Sequence, residues 1–161
     1  MSDMIKVGMA DLNIVKAPGS ITTLGLGSCV GVTLYDPKNK VAGLAHVMLP
    51  SSVEIRNNSN KAKFADTALE VLLDKMIRAG ARKQNLVAKM AGGAQMFNFS
   101  SKNDVLKIGE RNAIASKKKL KEMGIRIIAE DTGGNYGRTI ELDANNGELF
   151  IKTIGHGTSI I

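Results

Sequence analysis

Nine short runs rich in valine, isoleucine and leucine, at 4–9, 11–16, 20–24, 29–35, 41–48, 85–90, 125–129, 138–143 and 148–154, constrain the fold more than any other feature. Each has the length of a strand, and turn residues punctuate the gaps between them. Only two segments carry helical periodicity. In FADTALEVLLDKMIRAG, Ala65, Ala68, Leu69, Leu72, Leu73, Met76 and Ile77 fall on one face and Gly80 is the terminator. In RNAIASKKKLKEMG the inward stripe thins to Ala113, Ile114, Leu120 and Met123, with lysines outward and Gly124 as the stop. Many strands and two helices that do not alternate regularly predict an α+β fold and argue against a doubly wound parallel sheet. No linker, repeat or composition break divides the 161 residues, so one domain spanning 1–161 is expected.

The turns are expected at three places. Asn146-Gly147 between two strand runs signals a type I′ hairpin, in which both central residues need positive φ. Asp36-Pro37 opens a reversal after Tyr35, where proline fixes φ and Asn39 tolerates the turn. The insert SSVEIRNNSNKAK, 51–63, reads as an exposed loop.

Charge narrows the partners. Lys and Arg number 22 against 15 Asp and Glu, a formal +7 that favours anionic partners without naming one. Much of the excess lies in SKKKLKE, 116–122, which reads first as the solvated face of a helix. Nucleic acid is disfavoured, because 4% aromatic content and no aromatic-basic interleaving leave no stacking platform. No apolar run approaches the roughly 20 residues that span a bilayer, and the amino terminus does not read as a signal peptide. A lone cysteine asks for no oxidising compartment, so the expected location is the cytoplasm.

That cysteine, Cys29, lies in TTLGLGSCVGVTLYD between a glycine-rich turn and a β-branched run. It is a buried filler, a metal ligand or a nucleophile, and the three readings need different surroundings. If the strand at 29–35 folds back at Asp36-Pro37, partners across the hairpin sum to about 75 or 76 in residue number, placing Cys29 opposite or diagonal to His46. An imidazole there would take the thiol proton or pair with the thiolate, and would later protonate a leaving group. Backbone N–H groups of the Gly27-Ser28-Cys29 turn would face a developing oxyanion. A histidine in VAGLAHVML is more often a satisfied core residue, so spacing alone does not carry the catalytic pair.

The string TLGLGSCVGVTLYD followed by GLAHVMLP resembles the CheD family of bacterial chemotaxis proteins, the chemoreceptor glutamine deamidases. KFADTALEVLL, KMAGGAQMF, IGERNA and IRIIAEDTGGNYGRTI resemble family segments in the same order, so the likeness runs from about Ile5 to Ile154. The resemblance implies a Cys-His deamidase with a threonine as third member, and the matching positions are Cys29, His46 and Thr23, with Thr22 the nearest rival. It also implies an α+β three-layer sandwich of sheet and helices, similar to the catalytic domain of cytotoxic necrotising factor toxins. The implied substrate is a glutamine on the cytoplasmic helices of a chemoreceptor. The implied partner is CheC, a phosphatase of the response regulator CheY, and a regulatory module acting on CheC is the alternative to catalysis. A simple three-strand meander would put Thr23 and His46 on opposite sides of Cys29, too far apart to bond.

Other motifs carry less. AGGAQMF lacks the Lys-Ser or Lys-Thr of a phosphate loop, and GLGLGS lacks the third glycine of a dinucleotide fingerprint. Both read as structural turns. Glycines 92, 93, 133 and 134 are expected, from the resemblance, at the rim of a substrate groove. His156 between two glycines reads as a solvated residue, and one cysteine with distant histidines gives no zinc spacing, so no metal or other cofactor is expected.

Overall fold

A computed structural model describes residues 3–53, 58–95 and 107–161. Ten strands form two five-stranded sheets among these residues, and two helices cover one of them. The first sheet has the order β1 (Met4–Val7), β3 (Ser20–Leu26), β8 (Arg138–Asp143), β9 (Leu149–Thr153) and β10 (Gly157–Ile160). The second has the order β2 (Leu12–Lys16), β5 (Val41–Val47), β4 (Val30–Asp36), β6 (Val87–Gly92) and β7 (Arg126–Thr132). Both are mixed: β1 runs parallel to β3 and β6 parallel to β7, while the other neighbours are antiparallel. The α+β sandwich expected from the sequence is the observed architecture.

Alternation along β4 and β5 explains the layers. Val30, Val32, Leu34, Ala45 and Val47 point into one core with Leu69, Leu72 and Met76 of α1 (Ala65–Arg78) and Leu120 of α2 (Ile108–Glu122). Cys29, Tyr35, Ala42 and Leu44 point the other way, into a second core shared with Ile21, Leu26, Ile140 and Ile151 of the facing sheet. Both strands are buried along their whole length, which is why they read as unbroken apolar runs. Burying each large α1 side chain contributes about 1.5–3 kcal/mol over leaving it in water. The helix ends where Gly80 takes φ +107°, a left-handed conformation open to glycine at little cost.

The facing sheet packs directly on Gly31. A Cβ there would stand 2.6 Å from Ile140 Cδ1 and 3.1 Å from Leu26 Cδ1, so glycine is required by the facing sheet. At the chain's crossing from one sheet to the other, β3 carries a bulge between Thr23 and Leu26, with Gly25 at φ +68°. Residues 27–29 then bend into β4.

Several local expectations are corrected. The Asn146-Gly147 turn is not type I′, because only Gly147 has positive φ; the loop is closed by Gly147 N–H donating to Asp143 O and Asp143 N–H to Glu148 O. Glycine is required at 147 on packing grounds as well, since a Cβ would lie 2.5 Å from Tyr35 Cδ2. After β4 the left-handed residue is Lys40, at φ +53°, while Asn39 instead donates its backbone and side-chain N–H groups to the Asp36 carboxylate. α2 begins at Ile108, earlier than the stripe suggested, and Ile114 faces outward at 57% exposure. Asn112 and Ser116 take the inward positions instead. The strand β10 was missed because all four of its residues are exposed and show no apolar alternation.

Part of the 51–63 insert is tied down. The Asp66 carboxylate accepts from Ser52 N–H and Oγ–H, and Asn60 caps Ala62 N–H at a short 3₁₀ turn. Residues 54–57 of the insert, and Met96 and Phe97 of AGGAQMF, lie outside the described residues.

Candidate active site

In the β4–β5 ladder Gly31 pairs with His46, one residue beyond the expected register, so Cys29 sits diagonal to the imidazole just before β4 begins. Both side chains face the inter-sheet core, where His46 is 1% exposed and Cys29, at the rim, 8%. Thr23 comes from the facing sheet. Its hydroxyl lies 2.7 Å from His46 Nδ1 and 2.7 Å from Val7 O, the carbonyl of its partner on β1. The meander objection fails because the chain changes sheets between Thr23 and Cys29, which brings Thr23 over His46 from above. Thr22 is not a rival: its hydroxyl donates to Ile140 O.

Those two contacts fix the tautomer. A carbonyl oxygen only accepts, so the one hydroxyl proton of Thr23 goes to Val7 O. The threonine oxygen must therefore accept from His46 Nδ1–H, and the unprotonated ring nitrogen is Nε2. Nε2 is buried without a hydrogen-bond partner among the described residues. A bare basic nitrogen, oriented by a third residue, is what a thiol nucleophile needs nearby.

Burial sets the charge state. It pushes the Cys29 thiol up from its ordinary value, an effect tempered by the residue's own backbone N–H. It pushes the His46 imidazole down. Both shifts run in the direction that favours the neutral forms.

The turn at Gly27–Cys29 is held by its carbonyls. Gly27 O accepts from Ala94 N–H at 2.9 Å, Ser28 O from Asn112 Nδ2 at 3.0 Å and Cys29 O from Gly93 N–H at 2.8 Å. The N–H groups of Ser28 and Cys29 donate to no backbone carbonyl among the described residues. Gly92, at φ +111°, packs so closely on Cys29 O that any Cβ would collide with it. Beneath it Arg138, 1% exposed, donates to Gly92 O and Asp131 Oδ1 and stacks on the Tyr136 ring at 4.7 Å.

A groove of about 370 Å³ opens beside this turn, lined by Gly93, Gly133, Gly134, Thr132, Ile114 and Lys117 among others. Three of the four rim glycines expected from the sequence line it, whereas Gly92 lies inside against Cys29. The Cys29 side chain does not line the groove; its carbonyl is one hydrogen bond away, through Gly93. Ile114 also borders a second groove of about 410 Å³ with Leu49, Pro50, Arg111 and Lys118. Of the α2 lysines, Lys117 pairs with Glu130 and Lys119 with Glu70. His156 packs its ring against Tyr136 with centroids 4.2 Å apart, and among the described residues no three His, Cys, Asp or Glu side chains converge to hold a metal. No helix among them is long and apolar enough to cross a membrane.

Asn112 and Arg138 were not legible as parts of the site. The one available signal was spacing: Asn112, Ser116 and Leu120 recur every four residues, which puts a polar pair on the buried face of α2.

The family profile described as CheD chemotactic sensory transduction matches residues 48–153. The chain belongs to the CheD family. That profile begins past Thr23, Cys29 and His46, but relatives of the CheD family match nearly end to end. The chain is 58% identical over 160 residues to the probable chemoreceptor glutamine deamidase CheD of Caldanaerobacter subterraneus subsp. tengcongensis, covering 99% of each. It is 60% identical over 155 residues to the protein of the same description from Lachnoclostridium phytofermentans, covering 96% of each. It is 56% identical over 158 residues to the chemoreceptor glutamine deamidase CheD of Halalkalibacterium halodurans, covering 98% of each.

Proposed function

We propose that this CheD-family chain hydrolyses the side-chain amide of glutamine residues in chemoreceptors, with Cys29 as nucleophile, His46 as base and acid, and Thr23 as the residue that orients the imidazole. The observation that carries the reading is the Thr23–His46 contact. It leaves Nε2 unprotonated, and without a partner among the described residues, in the core that also holds the sole cysteine.

The chemistry balances as acyl transfer. Cys29 Sγ bonds to the amide carbon while its proton passes to His46 Nε2, and the carbonyl oxygen becomes an oxyanion facing the Cys29 N–H. The C–N bond then breaks as His46 returns the proton to the departing nitrogen, releasing ammonia and leaving a thioester. Water, deprotonated by His46, attacks the thioester carbon; the C–S bond breaks, glutamate forms and the thiol is restored. General acid-base catalysis of this kind contributes about a hundredfold to ten-thousandfold in rate.

The groove beside Gly93 is the expected entry for the receptor segment, and the exposed Ile114 with Lys117 and Lys118 suits the apolar and acidic faces of a receptor helix. The reading places the chain in the cytoplasm, where those helices lie, and includes CheC as a competitor for the same surface. The test is mass spectrometry of a receptor cytoplasmic fragment incubated with the protein. Conversion of specific glutamines to glutamate by the natural protein, and none by Cys29→Ala or His46→Ala variants that keep their circular dichroism, supports the reading. Full activity in either variant overturns it.

A further inference from the structure

We infer that Asn112 is a positioning residue of the active site: its carboxamide, by holding Ser28 O, aims the Cys29 N–H at the oxyanion. This rests on the deamidase reading above, since it assigns a role within that chemistry.

Asn112 is fully buried on the inward face of α2, and its Nδ2 donates at 3.0 Å to Ser28 O and at 2.9 Å to Met48 O. Two acceptors on one nitrogen fix the orientation of the amide, because only the NH₂ end can serve two carbonyls. The Ser28 carbonyl and the Cys29 N–H belong to one planar trans peptide unit and point in opposite directions. Pinning that oxygen therefore sets the direction of the nucleophile's own N–H. The flanking peptides are pinned as well, Gly27 O by Ala94 N–H and Cys29 O by Gly93 N–H, but by backbone donors that any side chain would leave in place. Ser28 O is the one of the three that depends on a side chain.

The second acceptor holds the amide in place. Met48 follows His46 by two residues at the end of β5, so a single amide ties the segment carrying the nucleophile to the segment carrying the base. The residue is costly as a core filler, because its Oδ1 is buried without a partner among the described residues. An apolar side chain would pack there without an orphaned oxygen but would release both carbonyls.

The test separates oxyanion chemistry from thiol chemistry and does not need receptor turnover. Attack of Cys29 on p-nitrophenyl acetate forms the C–S bond through a tetrahedral oxyanion and expels p-nitrophenolate. Alkylation by iodoacetamide displaces iodide at a saturated carbon and forms no oxyanion. In Asn112→Ala, with Cys29→Ala as the blank, the acylation rate is expected to fall about tenfold to a hundredfold while the alkylation rate stays within about twofold. Where Asn112→Ala does not fold, Asn112→Ser, which fills more of the space yet falls short of both carbonyls, carries the same comparison. Equal losses in the two reactions would mark a packing role, and no loss in either would show an idle amide; each overturns the inference. Failure of the natural protein to deamidate a receptor fragment, with the selective acylation defect intact, would instead count against the deamidase reading alone.

Discussion

Thr23 and His46 lie in different sheets, and their side chains meet at 2.7 Å across the core between them. The His46 imidazole is thus oriented by the facing layer of the sandwich and not by its own sheet. Thr23 is anchored in turn to Val7 O, so the tautomer of His46 depends on β1 as well as β3.

Replacing Thr23 by valine keeps the shape and removes the hydroxyl. Val7 O and His46 Nδ1–H then lose their partner, at a cost of about 1–3 kcal/mol in stability. The kcat for deamidation is expected to fall about tenfold to a hundredfold, less than for His46→Ala, because the imidazole remains present but unguided. Steady-state kinetics with chemical denaturation of the same variant checks both; unchanged kcat would remove Thr23 from the machinery.

The pH dependence follows from the burial of Cys29 and His46. Burial raises the Cys29 thiol, so alkylation by iodoacetamide should be half-maximal above pH 9.0, the ordinary value. Burial lowers the His46 imidazole, so the acid limb of kcat/KM should fall below pH 6.5, since the ring stays unprotonated and able to accept a proton to lower pH than a free histidine. An alkylation midpoint near neutrality would reveal a thiolate–imidazolium pair and contradict the arrangement.

Asp36 closes the turn after β4. Burial opposes its ionisation, yet donors from Asn39, Arg82 and Lys38 outweigh that and hold the carboxyl down to about 2. A folded-state pKa below the unfolded value of 3.8 means stabilisation that is complete above that pH and is lost as pH falls through about 2. Asp36→Asn should therefore cost about 2 kcal/mol at neutral pH and little near pH 2, measured by urea denaturation at both.

Gly31→Ala should destabilise by about 1–3 kcal/mol through overpacking against Ile140. Because the obstructing atom is the flexible end of a side chain, adding Ile140→Val is expected to recover part of the loss. A double variant no more stable than Gly31→Ala would place the strain in the backbone.

The strand runs and both helices could be read from the sequence because their apolar periodicity is local. The diagonal placing of Cys29 and His46 could be approached by hairpin arithmetic, since a single turn at Asp36 fixes the register of β4 on β5. Thr23 could not be placed that way. Its position depends on a change of sheet in the stretch from Gly25 to Ser28, and that choice is enforced by pairing with β8, more than a hundred residues later. Asn112 escaped for a related reason: its partners, Ser28 O and Met48 O, are backbone atoms on distant segments, which no side-chain pattern announces.

The change of sheet at Gly25–Ser28 has a consequence for the newly made chain. Thr23, Cys29 and His46 are all synthesised within the first third of the sequence, yet β3 finds its second neighbour only in β8 and β4 finds one of its neighbours only in β6. A nascent or half-opened molecule therefore carries all three side chains without their arrangement. The arrangement is complete only once the carboxyl-terminal strands have closed the sandwich, so any chemistry that depends on it begins with the finished fold.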